Sequence, residues 1–367
     1  MPAIETIPHS LDLDITVDNV PIDSWGALTY NAAVNKSRSA TITLLGKEAI
    51  EYARLGGILE IRAGEGNDIE FPLYFKGVIK SLRPEQDKVS VVAFDYITHL
   101  AGSQYVLFKD VIDRNADVKI VGEDLYYVAA TVANYKGISV SGLTQGSGIL
   151  ATKNMTGLFG HKTRKGFLDE VFKLMVNYST GTNYPEFAYQ PWYYAIRSGV
   201  QLDFFLPDYL NTSEQPIVSL KESKNNIKSI SASLNTSRLA NSVRVVSSDS
   251  TIYADHEDIF SADRYGVHSR KIERNEKNRD KLKQLAVDYV NQNRFPTITY
   301  TLEPIDVYWV DLGDLVKVEV PSLKIDEVLP VVGYSTKIDN DISTQLVLGS
   351  PPLDEKQYLD LLSPPQG

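Results

Sequence analysis

The densest group of side chains able to do chemistry is Asp255-His256-Glu257-Asp258, three carboxylates and an imidazole in four consecutive positions. Such residues bind divalent cations or move protons, but consecutive side chains point to different sides and rarely converge on one ion unaided. A solvated loop is the expectation for this run. The five histidines, His9, His99, His161, His256 and His268, are scattered and none has a helical partner four residues on, so no zinc helix is present. Gly46-Lys47 lacks both the preceding glycine and the following hydroxyl of a phosphate-cradling loop. Gly142-Leu143-Thr144-Gln145-Gly146-Ser147-Gly148 lacks the central serine of a nucleophile elbow. Any two of the 47 acids could form a glycosidase pair, but no local signature supports one. The aromatics Tyr184, Phe187, Tyr189, Trp192, Tyr193 and Tyr194 are of the kind that stack on sugar rings or anchor interfaces; a core or subunit contact is the plainer reading. The expectation is therefore no catalytic, cofactor-binding or metal-binding residues.

The elements that would position such groups are mostly strands. Leu11 to Val17 alternates strictly, which predicts a strand with one buried face. Ala40 to Leu45, Ile58 to Arg62, Phe71 to Leu82 and Lys88 to Phe94 follow as strands, with a short helix over Lys47 to Leu55 docking through Ile50 and Ala53/Arg54. Gly64-Glu65-Gly66-Asn67-Asp68 reads as a hairpin loop, and Gly77 as a bulge or bend. Five close strands and one helix predict a small barrel or sandwich.

Residues 101–235 are less regular. Arg164 to Tyr178 is predicted as a helix whose Phe167, Leu168, Val171, Phe172, Met175 and Val176 make one apolar stripe. Ser139 to Gly148 reads as an exposed loop. Gln201 to Leu206 and Pro216 to Leu220 read as strands. Beyond them come a strand over Asn241 to Ser247, a polar excursion, Tyr265-Gly266, a further strand, a helix from Asp280 to Phe295 stopped by Pro296, and strands punctuated by Gly313-Asp314 and Gly333-Tyr334. The run Arg270 to Lys283 mixes cations with Glu273, Glu276 and Asp280 and reads as a turn and helix start. After Ser350, two Pro-Pro pairs flank Tyr358-Leu359-Asp360-Leu361-Leu362, an extended arm with an apolar latch.

Composition narrows the function further. The chain has 367 residues, 43% of them hydrophobic, enough to bury sizeable cores without crosslinks. With no cysteine, disulfides, thiolate metal sites and a cysteine nucleophile are excluded. A net charge of −10 opposes binding to nucleic acid, because gripping phosphate requires cations that displace its counterions. The first residues carry neither a basic region nor an apolar run, so no secretory leader and a cytoplasmic synthesis are expected.

The order of these patterns resembles the baseplate hub, or tail hub, proteins of phages. The carriers are Asn241-Ser242-Val243-Arg244-Val245, the Ser261 to Gly266 turn, the helix bearing Ala286, Asp311 to Val318, and the closing Gln345 to Gly349. Upstream, Phe75 to Ile79, Val89 to Leu100 with Asp95, Thr163 to Tyr178 and Ile217 to Asn235 resemble further parts of the family, while residues 101–160 fit poorly. The resemblance implies an α+β, mainly β protein with two similar small β-barrel or sandwich tube domains, at 1–105 and 236–350. A middle α+β region at 106–235 and an arm at 351–367 complete this division. It implies a homotrimer that adapts a sixfold tail tube to a threefold spike or fibre, with tube or distal tail protein, spike or fibre, and tape measure protein as partners. DNA would pass its channel without specific binding. No cofactor and no wall-cutting segment are implied, and the protein would reside in the virion tail after assembly in the host cytoplasm. The competing readings are a particle-associated cell-wall glycosidase and a carbohydrate-binding adhesin using the Tyr184 to Tyr194 aromatics.

Overall fold

The computed structural model describes residues 11–65, 73–102, 118–124, 133, 138–140, 154–159, 163–174, 176–178, 189–191, 193–197, 201–205, 216–339 and 341–349. The expected arm at 351–367, most of the 64–68 loop and the 142–148 glycine run lie outside them.

Strand β1 (Leu11–Val17) buries Ile15 and Val17, as its alternation predicts. Asp18 and Asn19, at φ 49° and 66°, turn the chain into β2 (Val20–Pro21), with Val17 opposite Val20. A two-residue hairpin with both residues at positive φ matches the natural strand twist, and Asp and Asn tolerate that region. Next come β3 (Trp25–Ala33) and β4 (Ser39–Leu45), the latter burying Ala40, Ile42 and Leu44 on one face. Helix α1 (Lys47–Tyr52) is shorter than expected and docks through Ala49, whereas Arg54 lies outside it and pairs with Asp18 at 2.8 Å. Strands β5 (Ile58–Glu65), β6 (Leu73–Glu85) and β7 (Lys88–Phe94) lead to α2 (Ile97–Gly102), which buries Ile97 and Leu100.

Gly77 has a different cause from the predicted bulge. The register shift between β6 and β7 falls between Ile79 and Ser81. A Cβ at Gly77 would stand 2.5 Å from both the Phe94 carbonyl oxygen and the Phe75 ring, so the residue is needed for close approach of backbones.

The middle of the chain contributes β8 (Val118–Asp124), β9 (Ser139–Val140), β10 (Asn154–Phe159), α3 (Arg164–Leu174), β11 (Val176–Tyr178), β12 (Tyr189–Pro191), β13 (Tyr193–Ile196) and β14 (Gln201–Phe205). β8 and β10 form an antiparallel pair; β14 pairs antiparallel with β13 and parallel with β9. The predicted helix stops at Leu174 and gives way to β11. Its Leu168 and Phe172 are buried, with the Phe172 ring edge-on to Tyr194 and Phe204, each at 5.0 Å.

The remaining elements are β15 (Val218–Lys221), β16 (Ile227–Asn235), β17 (Ser242–Ser247), β18 (Tyr253–Glu257), α4 (Ile259–Tyr265), β19 (Ser269–Arg274), α5 (Arg279–Asn293), β20 (Thr297–Pro304), β21 (Leu315–Val320), β22 (Ile325–Ile338) and β23 (Ile342–Gly349). Three of these correct the sequence reading. The polar excursion contains β18 and α4, and β22 passes unbroken through Gly333-Tyr334 with only a register shift; β19 is the strand expected between Tyr265-Gly266 and the helix, and it takes in the start of the basic run.

The chain divides into two compact units, one of residues 1–177, 190–230 and 302–348, the other of 178–189, 231–301 and 349–367. In the first, one extended sheet runs β23-β22-β3-β4-β7-β6-β5-β1-β2, with β21 and β15 attached alongside β22. Its first and last parts come from opposite ends of the sequence. β22 pairs antiparallel with β3 from Gly333 opposite Ala33 to Ile338 opposite Leu28. The class is mainly β, as expected, but no pairing among the described strands closes this sheet into a barrel.

The second unit holds a three-stranded sheet in the order β18-β17-β19, antiparallel then parallel. Val243, Val245 and Ala254 pack against Leu282, Ala286 and Val290 of α5. Leu285 of the same helix faces solvent. Fully buried Asn241 ties the unit together: its Nδ2 donates to Ser261 Oγ (3.1 Å) and the Gly266 carbonyl (2.8 Å), and its Oδ1 accepts from the His268 N–H (2.7 Å). An asparagine with all three bonds made fits the general rule that buried polar groups find partners.

Candidate functional site

Backbone pairing of β4 with β7 sets Ser39 opposite Phe94, which brings the next residues, Arg38 and Asp95, side by side. Both are buried. The Arg38 N–H donates to Asp95 Oδ2 (2.9 Å), the Asp95 N–H to the Arg38 carbonyl (3.1 Å), and the Ile97 N–H, opening α2, to Asp95 Oδ1 (3.1 Å). The Arg38 guanidinium reaches away from this carboxylate. Its Nη1 and Nη2 donate to the Arg197 carbonyl (2.7 and 2.8 Å), just past β13, and Nη2 lies 3.5 Å from Asp311 Oδ1. One side chain thus touches the front, middle and rear thirds of the sequence.

Neighbouring groups extend this junction. Asp311 Oδ1 accepts from the Leu312 N–H (2.7 Å) and the Tyr334 hydroxyl (3.3 Å), while the Asp311 N–H donates to Asp314 Oδ2 (2.6 Å). Gly313 between them sits at φ 90°, where a Cβ would strike the Phe205 ring at 2.8 Å. Arg197 donates to Asp203 (3.0 Å) and lies over Phe205. The Tyr194 N–H donates to Asn35 Oδ1 (2.9 Å), and its hydroxyl donates to the Asn35 carbonyl (3.1 Å) and makes a short bond to Asp169.

Electrostatics favour a fixed clamp over a reactive centre. Burial raises the Tyr194 and Tyr334 hydroxyls well above the ordinary tyrosine range, so they stay protonated and donate. Burial pushes the Asp95 carboxyl up to about 7, against the Arg38 N–H, the Arg38 charge and the Ile97 N–H. It raises Asp311 and Asp314 too, opposed at Asp311 chiefly by Arg38 and at Asp314 by the Asp311 N–H. Each of these carboxylates already accepts from protein donors. The arrangement positions chain segments; no nucleophile is poised by a base within it.

The residues singled out by sequence do not converge. Asp255 is held by Arg244 in a two-bond pair (2.7 and 2.8 Å) on β18, and Asp258 caps α4 through the Ser261 N–H (2.9 Å) and pairs with Arg294 (2.7 Å). The run is a strand end and a helix cap, where a loop was expected. Among the described residues no group of three or more His, Asp or Glu side chains is placed to hold a metal ion. His99 stacks near Tyr96, and His268 serves Asn241 through its backbone; His9 and His161 lie outside the described residues. Tyr193 and Tyr194 are buried, so these two offer no sugar platform; Tyr184, Phe187 and Trp192 lie outside the described residues. Among the described residues no helix is long and apolar enough to cross a membrane.

Sequence reasoning did not pick out Arg38 or Asn35, which carry no motif. Asp95 does carry a signal: an acid directly after an alternating strand and before a helical turn is a capping position.

A family model described as prophage endopeptidase tail matches residues 217–357. A tail protein from Neisseria meningitidis MC58 superposes with a TM-score of 0.64 at 13% identity, covering 93% of this chain and 97% of its own. The 43 kDa tail protein of prophage MuSo2 from Shewanella oneidensis gives 0.62 at 11%, covering 92% and 96%. Prophage tail protein gp18 from Listeria monocytogenes EGD-e gives 0.59 at 11%, covering 95% and 98%. This is the fold of phage tail proteins. Among proteins of curated description, none matches the sequence. The matched 217–357 stretch includes Asp311 and Tyr334, whereas Arg38, Asp95 and Arg197 lie before it.

Two outcomes follow from the junction. Arg38→Ala strands the Arg197 carbonyl and part-buried Asp311, and should lower stability in urea denaturation by about 3–5 kcal/mol; a loss under about 1 kcal/mol would contradict the clamp. For Asp95 the folded pKa lies above the unfolded one, so its contribution is full below the ordinary carboxylate range and is lost as pH rises through about 7. Asp95→Asn, which cannot accept from both N–H groups, should cost about 1–3 kcal/mol at pH 5. That cost should shrink toward pH 7.5. A cost that is constant or grows with pH would contradict the assignment.

Proposed function

We propose that the protein is a structural subunit of a phage or phage-like tail, a homotrimeric hub that joins a sixfold tail tube to a threefold spike or fibre. The carrying observation is the fold shared with phage tail proteins over more than nine-tenths of both chains. The β3–β22 ladder adds support, because it joins strands from the front and rear of the chain edge to edge. In this reading the stretches 1–105 and 236–350 supply two tube domains per chain, 106–235 the middle region and 351–367 an arm. Three chains then present six β-modules around a channel, and closed rotational symmetry gives a large, specific contact from one modest protein. The partners are the tube or distal tail protein, a spike or fibre, and the tape measure protein. Three copies carry a charge of about −30, and an acidic lumen lets DNA pass without adhering. The role is non-enzymatic and its place is the virion tail, after assembly in the host cytoplasm.

Native mass measurement with negative-stain imaging tests this. A ring of about three times the 40.9 kDa chain mass is expected. Monomers without rings, alone and with tube protein, would overturn it.

A second reading rests on the description of the matched family model, which names an endopeptidase. Within 217–339 the described histidines are His256 and His268, and His256 lies close enough to Asp258 for their charges to interact. Incubation of the purified protein with casein and with cell-wall stem peptides decides between the two. The structural reading expects no cleavage; cleavage lost in His256→Ala would favour the peptidase.

A further inference from the structure

In the three-stranded sheet of residues 231–301, both outer strands have edges that no described strand covers. Among the described residues β18 and β19 each pair with β17 alone. Unpaired edges are templates for further strands, and monomeric proteins usually blunt them. The two edges here carry opposite charge. β18 bears Asp255 and Glu257, and β19 bears Arg270, Lys271 and Arg274 against the single acid Glu273. Glu257 is exposed and has no cationic partner among the described residues.

The register sharpens the contrast. Arg244 on β17 lies opposite Asp255 on one side and Lys271 on the other, so a row of side chains runs from acid to base across the face away from α5. Setting the basic edge of one copy against the acidic edge of the next places Lys271 beside Asp255, so the row repeats as acid, base, base from copy to copy. Cross-strand neighbours of opposite charge stabilise a pair of strands, and like charges directly opposite destabilise it. An interface made of two different surfaces is head-to-tail, and it closes into a ring when the rotation between copies allows.

We propose that β19 of one copy docks on β18 of a second copy of this chain, extending the sheet from subunit to subunit through complementary charge. This rests on the self-assembling reading above and names the surface that carries it. Lysine and arginine would meet aspartate and glutamate at the rim, so association weakens with salt.

The absence of cysteine makes disulfide trapping a direct test. Two double variants are made, Asp255→Cys with Lys271→Cys and Glu257→Cys with Lys271→Cys, along with each single variant. A bridge within one chain would span two strand spacings, about 9.6 Å, beyond the roughly 7 Å Cα limit for a disulfide. Mild oxidation of at least one double variant should yield covalent dimers and trimers that dithiothreitol collapses. Single variants should stay uncrosslinked, and 0.5 M salt should cut the yield severalfold. Thermal melts within a few degrees of the unsubstituted protein show that the variants fold. If the unsubstituted protein sediments above monomer mass yet neither double variant crosslinks, this edge assignment is wrong while self-assembly stands. If it sediments as a monomer at every concentration, alone and with tube protein, both fail.

Discussion

The architecture of the larger unit depends on a backbone ladder between strands almost a full chain length apart. Ala33 and Gly333 sit opposite one another, about 300 residues apart in sequence, and the pairing continues to Leu28 and Ile338. Individual backbone bonds contribute only about 1 kcal/mol net, so the ladder needs side chains that hold its register. On one face Tyr30 provides them, packing against Tyr334 with ring centroids 5.7 Å apart and against Tyr74 at 4.7 Å. At the end of the loop that follows β3, Arg38 fixes the Arg197 carbonyl and approaches Asp311. A one-residue slip would turn every side chain of β22 to the other face, and the ring packing and the Asp311–Tyr334 contact would both be lost.

This explains why the polar cluster is rigid rather than reactive. A buried arginine is tolerated because carbonyl and carboxylate acceptors are already in place, and removing one side of such a set leaves a charge without compensation. The buried carboxyl of Asp95 links the same junction to α2. Its two oxygens each meet a backbone N–H, a geometry available only when β4 and β7 end in register.

Much of the strand content was legible because each half-buried strand alternates: Leu11–Val17, Ser39–Leu45 and Lys88–Phe94 follow the rule to within a residue. Elements whose side chains are mostly exposed left no such trace. β18 reads Tyr-Ala-Asp-His-Glu, with two apolar positions, so charge disguised it as a loop; β19, Ser-Arg-Lys-Ile-Glu-Arg, was legible only by its place between the Tyr265-Gly266 turn and the helix. α4 was hidden because Ile259 and Phe260, its most apolar residues, face solvent. The junction was illegible for another reason. Arg38, Arg197 and Asp311 are brought together by tertiary pairing alone, and no local spacing announces it. Gly77 stands out within its strand pattern, but its role is close approach to the Phe94 backbone, a tertiary contact that the strand pattern alone does not show.

In the proposed function the chain is a part of the tail present in few copies at one level of the particle. Quantitative mass spectrometry of purified tails, with the copy number scaled to the tube protein, tests this most directly. Three copies per tail are predicted. Absence from the particle, or a number rising with tail length, would contradict it.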